Sequence, residues 1–399
     1  MTFSGGVQAR GPERASAIGV PTHAIMPEPI RVAQVMGKML GGGVEEVVMN
    51  YYRHIDRNRV QFDFLVDEDS TLVPREEIES LGGRVFVVPP YQELPRYLCE
   101  LEALFSLERW PIVHSHVNAL SVFPLRAAKR AGVSVRVAHS HSTSGRGEHV
   151  KNIVKTVLKT CANRYPTHRM ACSEHAGEWL FGKGSVFDVL HNAIELDLFF
   201  FDAEARVKVR EDLGLVDGQF AVGHVGRFMP QKNHRFLLEA FKLLTEARPD
   251  VVLLLVGDGG QRSFAESWVA KHGLADKVRF LGQRADVNLL YQAFDAFVLP
   301  SLYEGLGIVG VEAQRAGLPC FLSDAITREV DVTGTCEFLS IDDPEVWVDA
   351  LLRIAEEPER DRSLPNMDGC FDPYDIEKAA PRLMECYERL TSGIGGDAS

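Results

Sequence analysis

From Arg31 onward the chain alternates between two kinds of segment. Short apolar runs bounded by turn residues, at 31–36, 62–66, 84–88, 112–116 and 134–138, have the length of strands and the continuous hydrophobicity of strands buried on both faces. Helix-length amphipathic stretches lie between them, among them 43–55, 91–106 and 119–131. Strand–helix alternation implies a parallel sheet with right-handed crossovers. The pattern then starts afresh, with strand-like runs at 220–226, 251–257, 278–282, 296–300 and 318–323. The expected fold class is therefore α/β, with two doubly wound, Rossmann-like parallel-sheet domains facing a central cleft.

The expected boundaries follow from the same pattern. Residues 1–29 carry Arg10, Glu13 and Arg14 among Gly, Pro and Ala without an apolar stretch, and read as a disordered leader rather than a signal peptide. A first domain is expected over 30–191 and a second over 192–373, with a hinge near Asn192. A final helix over 374–390 has no strand after it and is expected to cross back over the first domain. A Gly-rich tail fills 391–399.

Length and composition sharpen this. The 399 residues give two domains of ordinary size. The 43 Lys+Arg against 56 Asp+Glu give a net charge of -13, which argues against a generic nucleic-acid binder. The seven cysteines are odd in number and form no C-x-x-C pair, as expected of reduced thiols in a cytoplasmic protein. No apolar run has the length needed to span a bilayer. The charge is uneven, however. Between Ala119 and Met170 ten Lys/Arg face one acid, Glu148. Within that segment 149–161 is helix-like, with Lys151, Lys155 and Lys159 at every fourth position beside an apolar arc. Such a helix could lie on an anionic membrane surface or guide a lipid-diphosphate acceptor; it could equally pack on its own sheet with a solvated lysine face.

Candidate chemistry concentrates in the second half. Gly226-Arg227-Phe228-Met229-Pro230-Gln231-Lys232 follows a strand and precedes a helix, and two fixed cations in such a loop suit a diphosphate. Alternatively Arg227 forms a salt bridge between domains and Lys232 is a solvated helix-start residue. Pro300-Ser301-Leu302-Tyr303-Glu304-Gly305-Leu306-Gly307 also runs from a strand into a helix, which carries Glu312. Its glycines expose backbone N–H groups at a helix N-terminus, an anion site. Glu304 and Glu312 then make sense as acceptors of sugar and ribose hydroxyls, unless Glu312 merely pairs with Arg315. In the first half, His139 and His141 end a strand in a polar loop, and His114 and His116 form a similar pair after another strand. Asp67-Glu68-Asp69 contains D-x-D, but it stands alone after a strand and reads as an acidic turn. No G-x-G-x-x-G, Walker A or G-x-S-x-G pattern occurs.

Taken together, Gly41-Gly42-Gly43-Val44-Glu45, His139-Ser140-His141-Ser142-Thr143, Asn192, Gly226-Arg227…Lys232-Asn233, Val256-Gly257-Asp258-Gly259, Phe280-Leu281-Gly282 and Glu304…Glu312 resemble the family 4 retaining glycosyltransferases of GT-B fold, of the bacterial exopolysaccharide and capsule type. The resemblance implies a nucleotide-sugar donor, UDP-linked, a glycan or polyprenyl-diphosphate-linked acceptor, and no metal or other cofactor. By that likeness Arg227 and Lys232 hold the donor diphosphate, Gly42 and Gly43 close over it, and the amides of Gly305, Leu306 and Gly307 meet phosphate and sugar. Glu304 faces the transferred sugar, Glu312 the ribose, and Asp258 and Leu281 lie near the nucleobase. His141 matches the family's active-site histidine. Other readings of the same pattern are a nucleotide-sugar epimerase or hydrolase, and a non-catalytic nucleotide-sugar-binding partner of another transferase.

Overall fold

The computed structural model describes residues 1–2, 28–141, 157–357, 362 and 369–393. Its first sheet is built of β1 (Ile30–Gly37), β2 (Val60–Asp67), β3 (Arg84–Val88), β4 (Ile112–Ser115), β5 (Val135–Ser140), β6 (His168–Ala171) and β7 (Asp188–Val189), in the order β3-β2-β1-β4-β5-β6-β7. The second is built of β8 (Phe220–Val225), β9 (Val251–Val256), β10 (Val278–Gly282), β11 (Ala296–Leu299), β12 (Cys320–Ser323) and β13 (Glu337–Leu339), in the order β10-β9-β8-β11-β12-β13. Every pairing is parallel. Both faces of each sheet are covered, which is why β2, β8, β9, β11 and β12 are buried along their whole length and β9 and β11 read as continuous apolar runs.

In each sheet the strand order reverses beside the first strand, between β1 and β4 and between β8 and β11. Ligand crevices in open α/β sheets form at such points, outside the carboxyl ends of the strands. The loops after β1, β4 and β5 and those after β8, β9 and β11 carry the residues considered below.

Three strands lie outside the apolar pattern: β6, β7 and β13. They are two to four residues long and include His168, Arg169, Asp188 and Glu337, so they carry no hydrophobic run of strand length. The strand expected to end at Ala138 continues to Ser140, because its buried polar end, His139 and Ser140, still pairs with β6. The charged stretch after the hinge contains a helix, Ala203–Asp212, capped by the Asp202 carboxylate; Arg206 and Arg210 from it reach Asp295.

The helix Ile376–Ser392 lies on the first domain. Ile376, Ala379, Ala380, Leu383, Met384 and Tyr387 join the core that Val32, Tyr52, Phe62, Phe64 and Val137 form on one face of the first sheet. Its approach is tied to the hinge: Ile194 N–H donates to the Tyr374 carbonyl at 2.8 Å, and Ile376 N–H donates to the Ile194 carbonyl at 3.1 Å. Just before that, Tyr51 donates to the His191 carbonyl (2.7 Å) and the Asn50 amide to the Ala193 carbonyl (3.0 Å).

Lys151 and Lys155, most of the basic helix expected at 149–161, and most of the expected leader and tail lie outside the described residues. Lys159 is described. Its ammonium sits 4.5 Å from the centre of the Trp179 ring, and partial burial lowers its pKa, so this lysine packs against its own domain.

Candidate active site

Two strand-to-helix loops of the second domain meet at the cleft. After β8, Arg227 is partly exposed, and a Cβ placed on Gly42 of the first domain would stand 3.3 Å from its guanidinium. Among the described residues no carboxylate pairs with Arg227, so the salt bridge between domains that its position allows is not made. Lys232, five residues on, is paired: its Nζ lies 2.7 Å from Glu304 Oε1, with both side chains about nine-tenths buried. The other carboxylate oxygen accepts from Gln231 Nε2 at 3.0 Å. Gln231 also fixes the two loops through their backbones, with its amide donating to the Tyr303 carbonyl and its carbonyl accepting from Leu302 N–H. Lys232 and Glu304, separate features in the sequence, are therefore one buried ion pair.

The loop after β11 then turns through Gly307, in the left-handed region at φ 85°, and starts the helix Ile308–Arg315. Among the described residues the N–H groups of Gly305, Leu306 and Gly307 have no backbone acceptor. The Gly305 carbonyl takes the Ser173 hydroxyl at 2.6 Å, a direct bond from the loop after β6 in the first domain. On the first-domain side, the Gly42 N–H is occupied, donating to Glu45 Oε2 at 2.6 Å, while Gly43 faces open space.

Glu312, one turn into that helix, does not pair with Arg315, which stacks on Phe200 with its guanidinium 3.6 Å from the ring centre. Instead Glu312 Oε2 accepts from the buried Tyr291 hydroxyl at 2.8 Å. Burial pushes its pKa up to about 7, against the Tyr291 hydrogen bond; Glu46 across the cleft raises it slightly and Lys232 lowers it. Asp258 is exposed, with Oδ1 accepting from Gly259 N–H and Oδ2 paired with Arg262 at 2.9 Å. Leu281 is half-buried against the second-domain core, and the end of its strand is held to the Asp258 loop by the Gly257 N–H bond to the Gly282 carbonyl.

In the first domain the two histidine pairs merge. The His114 and His116 rings stack at 4.2 Å between centres and the His139 and His141 rings at 3.9 Å. Edge to edge, His114 Nε2 lies 3.1 Å from His139 Nδ1, and His116 Nδ1 lies 2.8 Å from His141 Nε2. All four are buried, and loss of hydration holds them neutral: His114 and His141 are pushed down to about 3, His116 and His139 well below the usual range, and neighbouring histidines lower His114, His116 and His139 further. Nitrogens of His114, His116 and His139 lie within 4.8 Å of one another. A metal ion, however, sits in the plane of each imidazole that binds it. Here each hydrogen-bonded pair, His114–His139 at 13° between ring planes and His116–His141 at 38°, is stacked on the other, so the facing nitrogens are taken up within the pairs rather than converging on one point. The D-x-D turn is separate from this group: Asp69 pairs with Lys38 at 2.6 Å, and burial pushes the Asp67 carboxyl up to about 6.

This geometry coincides with matches to known proteins. Residues 42–192 match the glycosyl transferase 4-like domain and residues 206–366 match glycosyl transferases group 1. A putative glycosyltransferase of Bacillus subtilis, EpsF, is 38% identical over 372 residues, covering 90% of this chain and 97% of its own. The chain belongs to the family 4 glycosyltransferases of GT-B fold. An Escherichia coli UDP-Gal:alpha-D-GlcNAc-diphosphoundecaprenol alpha-1,3-galactosyltransferase is 26% identical over 346 residues, covering 82% of this chain and 88% of that one. Among solved structures, Anabaena HepE in complex with UDP and glucose superposes with a TM-score of 0.75 at 19% identity, covering 90% of this chain and 99% of that one; at this identity the likeness speaks for the fold.

Several residues of this glycosyltransferase escaped the sequence reading: Gln34, Ser173, Gln231, Tyr291 and Tyr387. Each is a neutral polar side chain in an otherwise apolar segment or plain loop, and acquires its meaning from a partner more than 20 residues away. Gln34 alone carried a signal, as a polar residue in the middle of the buried strand β1.

Proposed function

We propose that this glycosyltransferase moves a sugar from a UDP-sugar to a lipid-diphosphate-linked glycan acceptor during assembly of a cell-surface polysaccharide, with retention at the anomeric carbon and without a metal ion. The observation that carries the reading is Arg227, without a carboxylate partner among the described residues, standing in the cleft against Gly42 of the other domain. An unpaired guanidinium in a cleft that also holds open amides at a helix N-terminus supports an anion as the ligand. The undecaprenyl-diphosphate substrate in the Escherichia coli relative's name supports the acceptor class, and the UDP bound to the structural neighbour supports the donor.

The chemistry follows from charge. As the glycosidic bond to the donor breaks, negative charge develops on the departing diphosphate. Arg227, Lys232 and the amides of Gly305, Leu306 and Gly307 would meet it, the work a divalent cation does elsewhere. Lys232 arrives already neutralised by Glu304, so the pair adds a hydrogen-bond donor for phosphate and an acceptor for a sugar hydroxyl without net charge. Glu312 accepts a ribose hydroxyl, Asp258 and Leu281 border the base, and Gly43 covers the diphosphate. The acceptor hydroxyl attacks from the face the diphosphate leaves, with no covalent enzyme intermediate, and His141 positions a sugar hydroxyl. The enzyme works at the cytoplasmic face of a membrane, where such acceptors reside; among the described residues no helix is long and apolar enough to cross one.

The test is kinetic. Arg227→Ala should lower kcat/KM for the UDP-sugar about 100-fold or more, two to three kcal/mol of transition-state stabilisation, with an unchanged melting temperature. Activity within a factor of three of the unaltered enzyme overturns the assignment, as would inversion at the anomeric carbon or loss of turnover on adding a chelator.

A further inference from the structure

One amide feeds both lines of the histidine cluster. Gln34, in the centre of β1, is 1% exposed. Its Oε1 lies 2.8 Å from His116 Nε2, and its Nε2 lies 3.3 Å from the Tyr387 hydroxyl of the C-terminal helix. That hydroxyl in turn lies 2.6 Å from His114 Nδ1. A neutral imidazole has one donor and one acceptor, so the polarity of each line is decided at its first bond.

Consider the line through His116. The Gln34 carbonyl can only accept, so His116 carries its proton on Nε2 and accepts at Nδ1. His141 must then donate from Nε2, which leaves its Nδ1 bare. In the other line the Gln34 amide donates to the Tyr387 oxygen. Tyr387 therefore gives its own proton to His114 Nδ1, His114 donates from Nε2 to His139 Nδ1, and His139 keeps its proton on Nε2. The two terminal nitrogens, His141 Nδ1 and His139 Nε2, are buried and have no partner among the described residues. The opposite polarity would let His141 donate from Nδ1 to the buried Asn192 Oδ1 beside it, but it needs an N–H facing His116 Nε2, where Gln34 presents its oxygen; with Oε1 there, Asn192 Oδ1 is left without a partner. A bare ring nitrogen and a bare carbonyl oxygen standing together at the domain crossing are two acceptors lacking a donor.

We propose that Gln34 and Tyr387 are positioning residues that hold all four histidines in the Nε2–H tautomer, so that His141 Nδ1 accepts a hydrogen bond from a sugar hydroxyl and His139 offers Nε2–H beside it. The role of His141 toward a sugar rests on the function proposed above; the tautomers do not. No proton leaves the cluster and no bond is made or broken in it, since the lines fix orientation only.

The tautomers can be read in the full-length enzyme by long-range 1H–15N correlation spectra of histidine-labelled protein, which distinguish a protonated from a bare ring nitrogen. All four histidines should show protonated Nε2 and bare Nδ1; a protonated Nδ1 on His141 or His116 overturns the proposal. Gln34→Glu places an acceptor at both first bonds. It should leave His116 and His141 unchanged while turning Tyr387 toward the carboxylate, which moves the protons of His114 and His139 to Nδ1. Tyr387→Phe gives a second probe: His116 and His141 keep their tautomer while His114 and His139 lose their common one. If either variant alters none of the four, the proposal fails. For function, Gln34→Met should lower kcat about tenfold while UDP binding by calorimetry stays within twofold, and unchanged kcat overturns the positioning role. His141→Ala with full activity would instead refute the sugar contact and leave the tautomer result standing.

Discussion

Acidification should destabilise this protein through its buried histidines, and the size of the effect follows from their neutrality. Each has an ordinary pKa of 6.5 when unfolded, while in the folded chain His114 and His141 are lowered to about 3 and His116 and His139 well below the usual range, all by burial. A group whose folded pKa is depressed in this way binds its proton in the unfolded state first. Stability is therefore fully present above about pH 6.5 and falls as pH drops toward 3. Between pH 7 and pH 5 each such histidine costs about 2 kcal/mol, and four cost about 8 kcal/mol. Two carboxyls act in the opposite sense. Burial raises Glu312 to about 7 and Asp67 to about 6, so both take up protons in the folded state over the same interval and return about 2 and about 1 kcal/mol. His224 and His234, lowered by burial to about 4 and about 2, add about 4 kcal/mol to the histidine side, so the histidines win by about 9 kcal/mol, of the order of an ordinary domain's whole stability. Guanidinium unfolding followed at pH 7, 6 and 5 measures the slope. His139→Gln isolates the cluster: it removes one titrating ring, so the loss of stability between pH 7 and pH 5 should shrink by about 2 kcal/mol. Equal slopes in the two proteins would refute the reasoning, because the cluster would then not be neutral or not be buried.

Gly257 stands at φ 130°, and a Cβ there would lie 2.2 Å from the Gly226 carbonyl oxygen, so Gly257→Ala should push apart the ends of β8 and β9 and cost about 3 kcal/mol, with UDP affinity falling alongside; a melting temperature within one degree of the parent would contradict this. Tyr291→Phe removes the hydrogen bond that favours ionised Glu312, so that carboxyl should titrate above pH 7 and the acid limb of UDP-sugar affinity should move to higher pH, whereas an unshifted limb removes Glu312 from donor binding. Asp63, fully buried, accepts from Arg31, Arg84 and the Trp110 indole, and Asp63→Ala should cost about 3–5 kcal/mol in urea unfolding by leaving these donors unpaired; a loss below 1 kcal/mol would show that solvent replaces the carboxylate.

The two-sheet architecture was legible because its central strands are buried on both faces and are mostly apolar, with their few polar residues, such as Gln34 and Asp63, held by specific partners. β6, β7 and β13 were not, because a three-residue edge strand such as Glu337–Leu339 leaves almost no pattern. The candidate site divides in the same way. Arg227, Lys232 and Glu304 were visible as charges in loops after apolar strands, and Glu312 as a charge on the helix that follows one of them, placements that have few structural reasons. Their pairings were not visible, since whether Lys232 faces Glu304 depends on the β8 and β11 loops lying side by side. The histidines show the boundary well. Alternation placed His139 and His141 on one face of β5, and likewise His114 and His116 on β4. That the pairs interlock depends on the register His114↔Val137, which sets His114 two residues along from its partner His139 on β5. No local signal encodes that offset, nor the arrival of Tyr387 from 353 positions beyond Gln34.

The C-terminal helix also has a consequence for the order in which the chain can mature on the ribosome. Domains usually fold as they emerge, the earlier one first. Here the earlier sheet lacks one layer of its cover, from Ile376 to Tyr387, until the whole second sheet has been synthesised. Until then the apolar face that includes Val32, Phe62 and Val137 is covered only in part, by the helix Gly43–His54, and the buried Gln34 amide lacks one of its two partners. The nascent first half therefore keeps apolar surface exposed for longer, and the later half completes itself before the earlier one does.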